Sequence, residues 1–359
     1  MPLFSARTND EQGEPVPIRR RVFSLPSLIS LLLAGAFLFF LVTRFDVDPK
    51  AAWADVRDSN PWYLVLAVLV HYMTFLFRGA RWRMLLRNAQ EDESAVPGVL
   101  YCSQLVLLGW FANSVAWLRL GDAYRAYLYR DELDASFSRT LGTLLAERML
   151  DAILVVILLL SAVPFLLGGG ELVTWTVLGT AIFLVVALTA VFLTLRLAED
   201  RALRMLPGWL AERYQRLQQG AAGSFGQLAP VTILGLLGWL SEVGRLFLVV
   251  QALNLGLGLP LIIFITLANS LLTLVPTPGG IGAVESGVAG LLVRLSSLSV
   301  NAATALVLVD RSITYVSVIA VGAVLFVLRQ AIPRWPRPTR PEIHQVETGS
   351  SSKEPESER

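Results

Sequence analysis

LTLVPTPGGIGAVESGV, residues 272–288, lies in the middle of an apolar run spanning 261–293. Pro276 and Pro278 stop a helix, and Gly279, Gly280 and Gly282 permit a turn and close backbone approach. A second helix starting near Gly282 puts Glu285 in its first turn, where the helix dipole favours a carboxylate or an anionic ligand. Two readings follow. The break is a proline kink in a spanning helix, or it is the tip of a re-entrant hairpin. At membrane depth, backbone leaves the helix only where protein or a water-filled cavity satisfies its polar groups.

The surrounding chain sets the class. Its 359 residues are 54% hydrophobic and 16% charged, with a mean hydropathy of +0.59. Apolar runs fall near 24–42, 61–77, 97–118, 142–167, 173–195, 230–252, 261–293 and 302–328, several of them close to the ~18–20 residues that span a bilayer. The expected fold is an all-α polytopic integral membrane protein with six to eight transmembrane segments. Residues 24–330 form its membrane domain, between an N-terminal tail (1–23) and a Pro-, Ser- and Glu-rich tail (331–359) expected to be disordered. Arg19, Arg20 and Arg21 precede LPSLISLLLAGAFLFFLV, an apolar core too long for a signal peptide, so the first helix reads as retained.

One cysteine, Cys102, excludes an intrachain disulfide. With only His71 and His344 besides, no metal cluster, Ser-His-Asp set or Cys-His pair is available. GGIGAVE follows no strand and lacks dinucleotide spacing, and no ATP-binding motif is present. Neither an enzyme, a cofactor nor a nucleic-acid partner is expected.

Loop charges decide how many runs cross. Eight crossings would put the Arg-rich stretches 119–140 and 196–229 outside, against the positive-inside rule. If 97–118 enters from the cytoplasm and returns, and 261–293 does the same from outside, six runs cross. Both termini, 78–94, 119–140 and 196–229 are then cytoplasmic, leaving only Arg44, Lys50, Arg57 and Arg294 outside. This predicts a multi-pass protein of the cell membrane with two oppositely inserted hairpins.

Ionisable residues within apolar runs are costly and are functional candidates by default. Glu147, Arg148 and Asp151 start the fourth run, Glu242 and Arg245 sit three apart in the sixth, and Asp310 and Arg311 begin the last. Glu285 completes a set that implies a polar cavity. Plainer readings stand beside this: Glu242 with Arg245 as a neutralising pair, and the Glu147 group snorkelling to the interface. RGARWRMLLR (78–87) reads as an interfacial stretch, and DRALRMLPGWLAERYQRLQ (200–218) as a basic amphipathic helix on anionic headgroups; either also serves as a topology anchor.

Several of these stretches together resemble the lysylphosphatidylglycerol synthase transmembrane region, a family also described as flippase-like membrane proteins. RGARWRMLL is similar to its Arg-x-x-Arg-Trp segment, and FANSVAWLRLGDAYRAYLYR to its Asn…Gly-Asp-x-x-Arg-Ala segment at Asn113, Gly121, Asp122, Arg125 and Ala126. LLAERMLDAI, LVPTPGGIGAVESG and DRSITYV resemble the remaining motifs. In place of the family's Pro-Gly before Gly-Asp, the chain has Ala116 and Trp117. The resemblance implies movement of an aminoacylated or other phosphate-bearing lipid between leaflets. Fused members carry a soluble aminoacyl-transferase domain; here a short tail follows residue 330, so aminoacyl transfer is not expected. On this reading Arg125, Arg311 and Arg148 contact phosphate. Glu285, Asp310, Glu147 and Asp151 serve a cationic part or protonate, and Gly279, Gly280 and Gly282 offer backbone N–H groups. Membrane lipids are the expected partners, with a glycosyltransferase or lipid-modifying enzyme beside them. Two other functions fit the same cavity: a non-transporting subunit that presents a lipid-linked substrate, and a proton-coupled small-solute transporter.

Overall fold

The computed structural model describes residues 59–89, 96–116, 120–166 and 207–331, with isolated positions at 57, 175, 178, 179, 182 and 186. Among these residues every regular element is helical. The apolar runs expected at 24–42 and, but for five scattered positions, 173–195 lie outside the described residues, as do both tails except Ala331. Among the described residues, four helical stretches are long and apolar enough to cross a bilayer: Pro61–Ala89, Phe137–Leu166, Gly208–Ala252 and Val300–Arg329. The chain is an all-α polytopic membrane protein.

Helix α1 (Pro61–Ala89) starts with proline at its first position, where a missing N–H costs nothing, and the Asn60 side chain accepts from Trp62 N at 3.0 Å. It outruns the apolar run 61–77 by a full three turns, because Arg78 and Arg81 are buried rather than interfacial. Helices α2 (Val99–Val115) and α3 (Gly121–Leu133) form a hairpin, followed by α4 (Phe137–Leu166). Helix α5 (Gly208–Gly223) packs antiparallel on the start of α4 and runs through a 3-10 turn (Ser224–Gln227) into α6 (Leu228–Ala252). That contact is close: Gly142 sits against the Leu217 carbonyl and Gly220 against that of Arg139. Helix α5, which holds the described part of the basic amphipathic stretch, therefore buries Gly220 against α4, while Trp209 stays exposed. A second hairpin pairs α7 (Leu259–Leu272) with α8 (Ala283–Leu295), and α9 (Val300–Arg311) continues through a π turn (Ser312–Val316) into α10 (Ser317–Ala331).

The order long helix, hairpin, long helix thus occurs twice, in 61–166 and 228–331. The two copies run in opposite senses. Asn60 N donates to the Ala252 carbonyl at 2.9 Å, Val70 lies against Gly244, Arg78 against Gly238 and Arg81 against Gly235, so α1 and α6 are antiparallel along their length. Each hairpin leaves the C-terminal end of its long helix, which puts the two hairpin bases at opposite ends of this pair. Their tips meet: Tyr315 Oη donates to the Ser114 carbonyl at 3.0 Å, and Gly279 packs on the Tyr315 ring.

The first hairpin differs from its expected form. Run 97–118 does not turn back within itself; it is the single helix α2, and the return leg is α3, in the stretch expected to be a loop. Helix α3 escapes a hydropathy reading because its polar groups are paired inside the fold. Glu132 accepts from Tyr101 Oη at 2.6 Å and from Arg329 at 2.5 Å, clamping both legs to α10. Near the tip, Gly121 N donates to Asn113 Oδ1 at 2.7 Å. A Cβ at Gly121 would stand 2.0 Å from the Gly109 carbonyl oxygen, a backbone atom that cannot step aside. Gly121→Ala is expected to cost about 1–3 kcal/mol by overpacking, read as a lower melting temperature in detergent.

Candidate functional site

Between the tips lies a cavity of about 310 Å³. Its wall combines Arg78, Trp110, Asp122, Arg148, Asp151, Trp239 and Glu242 with Asn269, Gly279, Arg311 and Tyr315. Two charged layers build that wall, one from each copy of the repeat.

In the first layer, Arg81 of α1 donates to Asp151 Oδ1 at 2.7 Å and to Glu147 Oε1 at 2.9 Å. Glu147 and Asp151 share a face of α4 because they are four residues apart. Arg125 of α3 pairs with the other Glu147 oxygen and stacks 4.4 Å above the Trp82 ring. Trp82 is fully buried and donates to Thr143 Oγ1 at 3.3 Å, so it is a core residue and not an interfacial anchor. Arg148 bridges Asp122 at 3.2 Å and Asp151 at 3.3 Å, with two fifths of its side chain exposed. Trp239 adds a further donor to Asp151 at 3.3 Å.

The second layer repeats this logic. Arg245 of α6 pairs with Glu242 and with Asp310. Arg311 donates to Glu285 Oε1 at 2.7 Å and to the Gly279 carbonyl at 3.0 Å, and lies 4.5 Å from the Tyr315 ring. In both copies the acid of an acid–Arg dipeptide (Glu147-Arg148, Asp310-Arg311) meets the arginine of a long helix. The dipeptide's arginine meets a carboxylate in the first turn of a hairpin's second leg, Asp122 or Glu285. Glu242 with Arg245 is therefore more than a local pair, since Asp310 and His71 join it.

The expected site residues separate into two groups. Arg148, Asp151, Arg311 and Gly279 line the cavity. Arg125 and Glu147, 2% and 0% exposed, stand behind the wall as each other's partner; Glu285 holds the lining Arg311 from outside it, and Asp310 pairs with Arg245, which does not line the cavity. The loop N–H groups are spent within the tip: Gly280 N donates to the Thr277 carbonyl at 3.0 Å and Gly282 N to Glu285 Oε2 at 2.6 Å. What Gly279 contributes is shape. Its φ is +58°, and a Cβ there would meet the Tyr315 ring at 2.3 Å. The site residues expected from sequence did not include Arg78, Trp110, Asp122 or Trp239; the available signals were the i, i+3 spacing of Arg78 and Arg81 at the end of an apolar run and the places of Arg78 and Asp122 in the family-like motifs.

The chain has relatives among known membrane proteins. It is 29% identical over 224 residues to a UPF0104 membrane protein of Methanocaldococcus jannaschii, covering 60% of this chain and 93% of that one. A UPF0104 membrane protein of Methanothermobacter thermautotrophicus is 29% identical over 329 residues, 82% of this chain and 90% of its own. The glycosyltransferase AglD of Haloferax volcanii is 26% identical over 136 residues, 37% of this chain and 21% of that protein. Residues 27–322 match the family model of the lysylphosphatidylglycerol synthase transmembrane region, and with nearly the whole membrane part covered, the chain belongs to that family.

Proposed function

We propose that the chain moves a phosphate-bearing lipid between leaflets, its headgroup passing through the cavity where the hairpin tips meet. The observation that carries this is the cavity itself: arginines and carboxylates gathered between two short-legged hairpins based at opposite ends of the bundle. Legs of 13 to 17 residues reach ~20–26 Å, short of the ~30 Å hydrocarbon core. On this reading both hairpins are re-entrant, one from each face, the architecture by which inverted-repeat transporters place a site near the midplane. The distribution of Lys and Arg supports cytoplasmic termini in a cell-membrane protein. Leu271 and Leu274, both cavity-lining and more than half exposed, form an apolar lip along which acyl chains stay in lipid. Arg311 and Arg148 supply cations, and Asp151 and Glu242 lie within reach of a headgroup's cationic part.

The test is leaflet exchange of fluorescent phospholipids in liposomes containing the pure protein. The expected result is exchange of an anionic or aminoacylated phospholipid well above that of protein-free vesicles. No exchange of any phospholipid by correctly folded protein sinks the reading. The match to part of a glycosyltransferase supports a second one, a membrane module that presents a lipid-linked substrate to a transferase. It leads if the protein binds such a lipid, exchanges none and raises the rate of a copurifying transferase.

A further inference from the structure

In the first charged layer the carboxylates are already claimed. Glu147 is taken by Arg81 and Arg125, Asp122 by Arg148, and Asp151 by Arg81, Arg148 and the Trp239 indole. Arg78 is left over. It is 6% exposed, its ion pair with Asp151 is stretched to 3.6 Å, beyond hydrogen-bond distance, and its buried Nε has no hydrogen-bond partner among the described residues. Its guanidinium lies 5.3 Å from the Trp110 ring and 5.6 Å from the Trp239 ring, and all three side chains line the cavity. Two indole faces hold the cation in place without occupying its five N–H groups. A buried, under-bonded guanidinium is costly unless something completes it.

We propose that Arg78, held by Trp110 and Trp239, is the anion receptor of the cavity and takes the phosphate of a phosphoester through its planar N–H fork. The inference rests on the headgroup-cavity reading above and adds the residue that reads the ligand. Arg148 and Arg311, each already paired, flank the bound anion. The apolar lip at Leu271 and Leu274 favours phosphate carried on a lipid over free phosphate. Trp110 and Trp239 act as positioning residues that set the orientation of the fork.

The experiment is native mass spectrometry of the detergent-solubilised full chain titrated with dioctanoyl-phosphatidylglycerol. Dioctanoylglycerol, inorganic phosphate and acetate serve as comparison arms. Saturable binding of the phosphatidylglycerol is expected, with dioctanoylglycerol at least tenfold weaker. Inorganic phosphate competes at far higher concentration, and acetate competes less well. Arg78→Gln weakens binding at least tenfold, and Arg78→Lys, which keeps the charge and the fold but not the fork, falls between. Melting temperatures identify folded variants, and Arg78→Lys carries the test if Arg78→Gln does not fold. Wild-type affinity in both Arg78 variants, equal binding of dioctanoylglycerol, or acetate competing as well as phosphate each overturns the proposal. Tight inorganic phosphate with no preference for the lipid overturns the lipid source. Arg78-dependent binding in a protein that exchanges no lipid upholds this inference while refuting translocation.

Discussion

Glu147→Ala is expected to destabilise the protein by about 3–5 kcal/mol, the largest effect of any single carboxylate in the bundle. Among the described residues Glu147 is wholly buried, the sole carboxylate partner of Arg125 and one of two carboxylate partners of Arg81. Its loss strands the buried Arg125 guanidinium with no second acid beside it among the described residues. The matched control is Asp122→Asn. Asp122 also pairs with an arginine, but two fifths of its side chain is exposed, so its loss is expected to cost no more than about 1 kcal/mol. Thermal unfolding of the two variants in the same detergent separates them. Equal melting temperatures would mean that the buried pair contributes no more than a surface one.

The second large effect is on transport. Arg311 holds the second hairpin tip twice, through Glu285 and through the Gly279 carbonyl, and lines the cavity as well. Charge-assisted hydrogen bonds of this kind contribute about 1.5–3 kcal/mol each. Arg311→Ala is therefore expected to slow lipid exchange by roughly 10- to 100-fold, and Glu285→Gln to slow it less, since Gly279 remains a partner. Exchange in liposomes, normalised to reconstituted protein, measures both. Wild-type exchange in a folded Arg311→Ala protein would remove the tip from the transport path.

How far the sequence carried depended on whether a polar residue advertised its partner. The second hairpin was legible because Pro276, Pro278 and three glycines interrupt an otherwise apolar run. Helix α3 was hidden because Arg125 and Glu132 look like loop charges until Glu147 and Arg329 are seen beside them. The end of α1 was misplaced for the same reason: Arg78 and Arg81 stop a hydropathy run although both are buried. Within the site, Arg148 and Arg311 were found as intramembrane charges. Spacing on one helix could not tell them from Arg125 and Glu147, which point at each other rather than at the cavity. Trp110 and Trp239 carried no signal at all, because an indole in an apolar helix reads as packing until a cation is found over it.

The antiparallel copies also differ in what each lacks. Within 61–166, Arg78, Arg81, Arg125 and Arg148 face Asp122, Glu147 and Asp151, and Glu132 is left over; within 228–331, Arg245 and Arg311 face Glu242, Glu285 and Asp310, and Arg329 is left over. These charges balance in number in each half, yet the earlier half emerges from the ribosome with Glu132 unmatched and the later half with Arg329 unmatched. Neither has every ion pair made until the other arrives. Fragments divided within 167–206 and made from separate messages would each carry the missing counterpart of the other, a chemical address for reunion written into the chain.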